Sequence, residues 1–132
     1  MIPKNRFRKA ERITSLVLIN TIFTEGKMFF IFPFRVFWQP ITNPGSETAQ
    51  FGISVSKKFF KQAVKRNKVK RITREAIRIK KGVLLHKLQH DNKQVALFLV
   101  YSHHIILPYK QVELSVDNIF TKLLNQISHL SN

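Results

Sequence analysis

The chain has 132 residues, a length that suits one domain, residues 1–132. Its formal net charge is +16, from 23 Lys and Arg against 7 Asp and Glu, which points to nucleic acid or an anionic membrane surface rather than a small neutral substrate. Cysteine is absent, so disulfide staples, thiolate zinc sites and cysteine nucleophiles are excluded and a reducing compartment is permitted.

Residues 1–11 read as a flexible basic N-terminus, where Pro3 discourages an early helix. The opening MIPKNRFRKAERITSLVLIN sets basic residues before an apolar stretch, but LVLI is short for a secretory signal and no small-residue cleavage site follows. No apolar run approaches the ~18 residues that span a bilayer. A cytoplasmic protein without membrane contact is expected.

From about Thr14 to Glu25, Leu16, Ile19, Ile22 and Phe23 recur at helical spacing, with Thr14 or Ser15 to cap the start and Gly26 the end. KMFFIFPFRVFWQP then reads as a strand, with Phe30, Phe32, Phe34 and Val36 on one face and Pro33 at an edge or bulge. Residues 41–48 are a loop punctuated by Asn43-Pro44-Gly45. AQFGISVS alternates Phe51, Ile53 and Val55 against Gly52, Ser54 and Ser56, a second strand expected to pair with the first.

A long basic helix follows over about 60–81, extending toward His90 unless Gly82 bends it. HDNK is a turn, QVALFLVYS a strand apolar on both faces, and HHIILPYK a loop. The chain closes with an amphipathic helix whose Val112, Val116, Ile119, Leu123 and Ile127 face inward. The fold class is α+β: a single-domain sandwich of order α-β-β-(β)-α-β-α, the bracketed strand being optional, with helices covering one sheet.

The basic helix carries the functional signal. At 100° per residue, Val69, Ile72, Ala76 and Ile79 share one side with Lys65. Arg66, Asn67, Lys70, Arg71, Arg74 and Arg78 lie opposite within an arc of about 140°, interrupted by Ile77. Guanidinium forks match phosphate oxygens, and a rigid row of them tracks a nucleic-acid backbone. The alternative of a solvated face balanced by intrahelical acids fits poorly. Glu75 is the only acid from Lys57 through Lys81, against twelve Lys and Arg. A membrane-surface helix fits less well than nucleic acid, because the non-basic side reads as packed on a sheet.

No residue constellation supports catalysis by the chain itself. His86 and His90 have i,i+4 spacing, but no third ligand is near them and helix-end surface histidines are the simpler reading. His103, His104 and His129 have no evident partner, the acids are scattered singly, and the four glycines form no phosphate loop.

FGISVSKK at 51–58, leading into AVKRNKVKRITREA at 63–76, resembles the protein subunit of bacterial ribonuclease P. The motif residues are Arg66-Asn67, Lys70-Arg71 and Arg74, and Asn5-Arg6-Phe7 resembles the family's start. The sequence departs from the family at Ile19, where an aromatic is common, and at Phe59-Phe60-Lys61-Gln62, where a small residue or glycine is usual.

The resemblance implies a ribonucleoprotein endonuclease in which RNA is the catalyst, Mg2+ is held mainly by RNA, and the 5′ leader is removed from precursor tRNA. It also implies a left-handed β-α-β crossover around the basic helix, and no required protein partner. On this reading Lys65, Arg66, Asn67, Lys70, Arg71, Arg74 and Arg78 bind the catalytic RNA, with Asn5, Arg6, Phe7 and Arg8 adding contacts. Phe30, Phe32, Phe34, Phe51, Ser54, Ser56, Lys57 and Lys58 are candidates to line a cleft for the single-stranded leader, since stacking plus backbone neutralisation holds a strand of variable sequence. Each of those Phe residues has plain core as its other reading. Two further alternatives stand: a structural RNA-binding protein of the ribosomal type, and a DNA-binding module with its helix in a major groove, against which no helix-turn-helix pair or dimerisation heptad is found.

Overall fold

A proline has no N–H to give a neighbouring strand, and at Pro33 the chain turns back rather than running on. In the computed structural model, which describes residues 11–13, 15–42 and 47–130, β1 (Lys27–Ile31) and β2 (Phe34–Ile41) form an antiparallel hairpin around Phe32 and Pro33, whose peptide bond is cis. The single strand expected here is therefore two. Pairing Phe30 with Arg35 and Phe29 with Val36 puts Phe30 and Phe34 on opposite faces of the sheet, because side chains alternate along each strand.

The remaining strands are β3 (Ala49–Val55) and β4 (Gln94–Tyr101), and the sheet order is β1-β2-β4-β3. β3 does not pair with the N-terminal hairpin as expected. It pairs in parallel with β4, which in turn pairs antiparallel with β2. The physical reason lies in β4: Val95 through Leu99 are all buried, so it takes a central position with both faces covered. β3 has Gln50, Gly52 and Ser54 on one face and sits outside it.

One face of the sheet carries the main core. Phe34, Val36, Trp38, Phe51, Leu97 and Tyr101 pack there beneath α2 (Ala63–His90) and α3 (Tyr109–Leu130). Trp38 is fully buried and its indole N–H donates to Gln126 Oε1 at 2.9 Å. All five residues expected to point inward from the last helix are buried. Burial pushes the Tyr101 hydroxyl pKa up, and burial together with a hydrogen bond to Glu113 pushes that of Tyr109 up to about 12.

The other face is half covered by α1 (Leu16–Glu25). Ser15 Oγ accepts from the N–H of Leu18 and caps its start, and the Gly26 N–H returns to the Ile22 carbonyl at 3.0 Å. A side chain at Gly26 would press on the carbonyl oxygens of Ile22, at 2.4 Å, and Trp38, at 2.9 Å. The close crossing of helix end and β2 is thus what requires glycine.

Helix α2 runs unbroken to His90, and Gly82 neither ends nor caps it. Its buried stripe is Val69, Thr73, Ala76, Ile77, Leu84 and Leu88, rotated from the Val69–Ile72–Ala76–Ile79 side expected from its first half. The later Leu84 and Leu88 set the stripe and draw Ile77 into the core. Thr73 is tolerated inside because its hydroxyl donates to the Val69 carbonyl at 2.8 Å.

The same rotation buries Lys81. Its Nζ meets Glu11 Oε1 at 2.6 Å, with Lys81 2% and Glu11 1% exposed. Glu11, expected within a flexible terminus, belongs to the folded body. Beside it Arg12 bridges to Phe51, and the Ile13 N–H donates to the Phe51 carbonyl at 3.0 Å, covering part of the outer edge of β3. Removing one partner of a buried ion pair strands the other charge. Lys81→Ala is expected to lower unfolding free energy by about 3–5 kcal/mol in urea denaturation, whereas Glu11→Leu combined with Lys81→Met recovers most of that loss.

Candidate nucleic-acid interface

Two surfaces fit a nucleic acid, and they lie on different parts of the molecule. The first is the solvent side of α2. Lys65, Asn67 and Arg71 are exposed, and Lys70, Arg74 and Arg78 are half-buried along its flank. Ile77, expected to interrupt this face, is in the core, so its apolar side chain is removed from the row.

The motif residues are not equivalent. Arg66 is half-buried, and its Nη1 donates to the carbonyls of Phe60 and Lys61, both at 2.8 Å. It therefore fastens the turn between β3 and α2, where Phe60 is anchored in the core near Tyr101. Arg78 is held bidentate by Glu75, one turn away, which lowers the Glu75 pKa and raises that of Arg78. Arg74 differs: burial, and then the neighbouring charge of Arg12, lower its pKa.

The second surface is the sheet face that α1 leaves partly open. Strand register aligns Ser54, Val100, Arg35 and Phe30 in one row across all four strands, and Gly52, Phe98, Phe37 and Met28 in the next. Phe30 is 52% exposed and Arg35 is exposed, with its guanidinium 5.5 Å from the Phe37 ring centroid. Phe23 of α1, 41% exposed, packs at 4.6 Å from Phe37 and 5.1 Å from Phe98 between ring centroids. These groups make a trough with an aromatic floor and cationic and hydroxyl groups along one side. Gly52 makes room for that floor: a Cβ there would lie 2.3 Å from the Phe98 ring.

Of the residues expected to line a cleft, Phe30 and Ser54 are on this face. Phe34 and Phe51 are not; both are buried in the core beneath the helices, Phe51 against Phe120. Phe32 sits in the β1–β2 turn. Ser56 closes the turn after β3, its Oγ accepting from the Lys58 N–H at 3.1 Å, and Lys57 and Lys58 are exposed beyond it. Asn5, Arg6, Phe7 and Arg8 lie outside the described residues. Phe23, Arg35, Phe37 and Phe98 were missed. The alternation of Ala96, Phe98 and Val100 within QVALFLVY marks a second apolar face, and a turn at Pro33 would have assigned Arg35 and Phe37 to it. His86 and His90 are exposed, and His90 Nδ1 is 3.2 Å from Asp91 Oδ1.

Arg66 and Arg71 separate structural from surface roles. Arg66→Ala is expected to cost about 1–3 kcal/mol of stability by unpairing two carbonyls. Arg71→Ala should stay within about 0.5 kcal/mol, both read by urea denaturation.

A family profile described as Ribonuclease P matches residues 7–124. The chain is 31% identical over 119 residues to the ribonuclease P protein component of Porphyromonas gingivalis, covering 90% of this chain and 87% of that protein. Among solved structures it is similar to the Staphylococcus aureus RNase P protein, with TM-score 0.67, 25% identity and coverage of 87% of this chain and 96% of that one. It is equally similar to the RNase P protein from Thermotoga maritima, with TM-score 0.68, 26% identity and coverage of 85% and 96%.

Proposed function

Because this chain belongs to the ribonuclease P protein family, whose members work with an RNA subunit in tRNA processing, we propose that its two surfaces serve two RNAs: α2 docks on the catalytic RNA, and the open sheet face holds the 5′ leader of precursor tRNA. The observation that carries this reading is the separation of a cationic helix face from an aromatic trough. Lys70, Arg71 and Arg74 supply charge to a folded phosphate backbone. The trough suits a single strand, because every base has a face to stack on an aromatic ring and Arg35 can meet a phosphate without reading sequence.

In this division the protein binds and orients. The Phe37 and Phe23 rings form the bed above the buried Phe98, Gly52 lets the Phe98 ring lie close to β3, and Ser54 and Arg35 offer donors beside it. Among the described residues no three His, Asp or Glu side chains converge to hold a metal ion. We assign Mg2+, and with it hydrolysis of the phosphodiester, to the RNA. The reading needs no second protein and no membrane. Among the described residues no helix is long and apolar enough to cross a membrane. The proposed setting is the cytoplasm.

The test is cleavage of a leader-bearing precursor tRNA by a bacterial ribonuclease P RNA at low Mg2+, with and without the protein. Stimulation that releases mature tRNA with a 5′-phosphate is expected. Tight RNA binding without stimulation would favour a structural, ribosomal-type role instead. Arg35→Ala should weaken binding of the leader-bearing precursor by about five- to tenfold, the net worth of one hydrogen bond, and leave binding of mature tRNA unchanged.

A further inference from the structure

At the end of the sheet beyond Phe30 and Arg35, two loops meet and present three rings. The Phe32 ring of the β1–β2 turn meets the imidazole of His103 edge to face, with centroids 4.8 Å apart and planes at 68°. His103 meets His104 at 4.7 Å and 59°. Phe32 is 45% exposed, His104 is exposed, and Phe32 belongs to neither packed core.

The backbones that carry these rings are fastened. The Phe32 carbonyl accepts from Ser115 Oγ at 2.8 Å, and the Pro33 carbonyl accepts from the Ser102 N–H at 2.8 Å. The buried Tyr101 hydroxyl donates to the Ile105 carbonyl at 2.6 Å and accepts from the Leu107 N–H at 3.1 Å, which closes the loop holding both histidines. A row of rings, exposed at Phe32 and His104 and half-buried at His103, on an anchored scaffold is arranged in advance for a flat partner, which lowers the ordering cost of binding.

We propose that Phe32, His103 and His104 form a stacking site for an unpaired nucleotide of the precursor leader, where the strand leaves the sheet face. The proposal rests on the leader reading above. Two observations favour this occupant. The row is continuous with the proposed trough, since Phe32 follows Phe30 by two residues on the same hairpin. The same end of the sheet, where Val55 pairs with Tyr101, leads into the exposed Lys57 and Lys58, cations suited to the phosphates flanking a stacked base. Phe32 and His103 supply ring faces and edges, and an imidazole N–H can donate to a phosphate or a base edge.

The experiment uses the protein assembled with a bacterial ribonuclease P RNA and two precursors, one with a long unpaired leader and one trimmed to a minimal leader. Phe32→Leu combined with His103→Ala should weaken binding of the long-leader precursor by about tenfold, within the range of losing one stacked base. It should leave the minimal-leader precursor unchanged, and Phe32→Tyr should restore long-leader binding. Thermal melting checks that the double variant folds, and the exposed His104→Ala, expected to give a smaller loss in the same sense, tests the site if it does not. An equal loss with both precursors would overturn the proposal by moving the contact to the tRNA body or the RNA subunit. No loss with either would make the rings part of the scaffold. If Arg35→Ala shows leader dependence and the ring variants do not, the trough reading stands and this site alone falls.

Discussion

Strand β4 is apolar on both faces, and that property governs the arrangement around it. A strand with Leu97 and Leu99 on one side and Ala96 and Phe98 on the other has to be covered twice. Helices α2 and α3 cover the first side over β4, where Leu97 and Leu99 are fully buried. The short α1 covers the second only in part, burying Phe98 and leaving a trough along Phe37, Arg35 and Phe30. The cover is partial because α1 packs mainly on β2 and β4, the two central strands.

Charge is handled locally rather than by overall balance. With a net charge of +16, self-repulsion opposes folding, yet several cations are tied to specific structural tasks. Lys81 is buried against Glu11, Arg66 holds the carbonyls of Phe60 and Lys61, and Arg78 is clasped by Glu75. Lys65, Lys68 and Arg71 on α2 are exposed to solvent, and Arg74 lies half-buried on its flank near the charge of Arg12. The motif that suggested one uniform contact surface is thus divided between residues that hold the fold and residues open to solvent.

The fold class, the long basic helix and the inward face of α3 were legible because each rests on local periodicity. The basic helix was recognisable by composition, but its rotation was not. The first half alone favours Ile72 and Ile79, and only Leu84 and Leu88, beyond Gly82, show that Ile77 and Lys81 face inward. The N-terminal strand failed for a related reason: alternation was counted straight through Pro33, so Phe30, Phe32 and Phe34 were assigned one face. Once the chain turns there, Phe34 becomes core, Phe30 stays open, and Arg35 and Phe37 fall on the sheet face opposite α2 and α3. Strand order and the Glu11–Lys81 pair depend on contacts distant in sequence, for which one chain offers no local signal.

The absence of cysteine from the sequence allows the two-surface account to be tested directly. A photo-crosslinker attached through Gln39→Cys on the open sheet face, or through Arg71→Cys on α2, reports which RNA lies at each position in a complex of protein, ribonuclease P RNA and leader-bearing precursor tRNA. The account predicts crosslinks from position 39 to the leader and from position 71 to the RNA subunit. Crosslinks from both positions to the same RNA, or a leader crosslinked from α2, would contradict it.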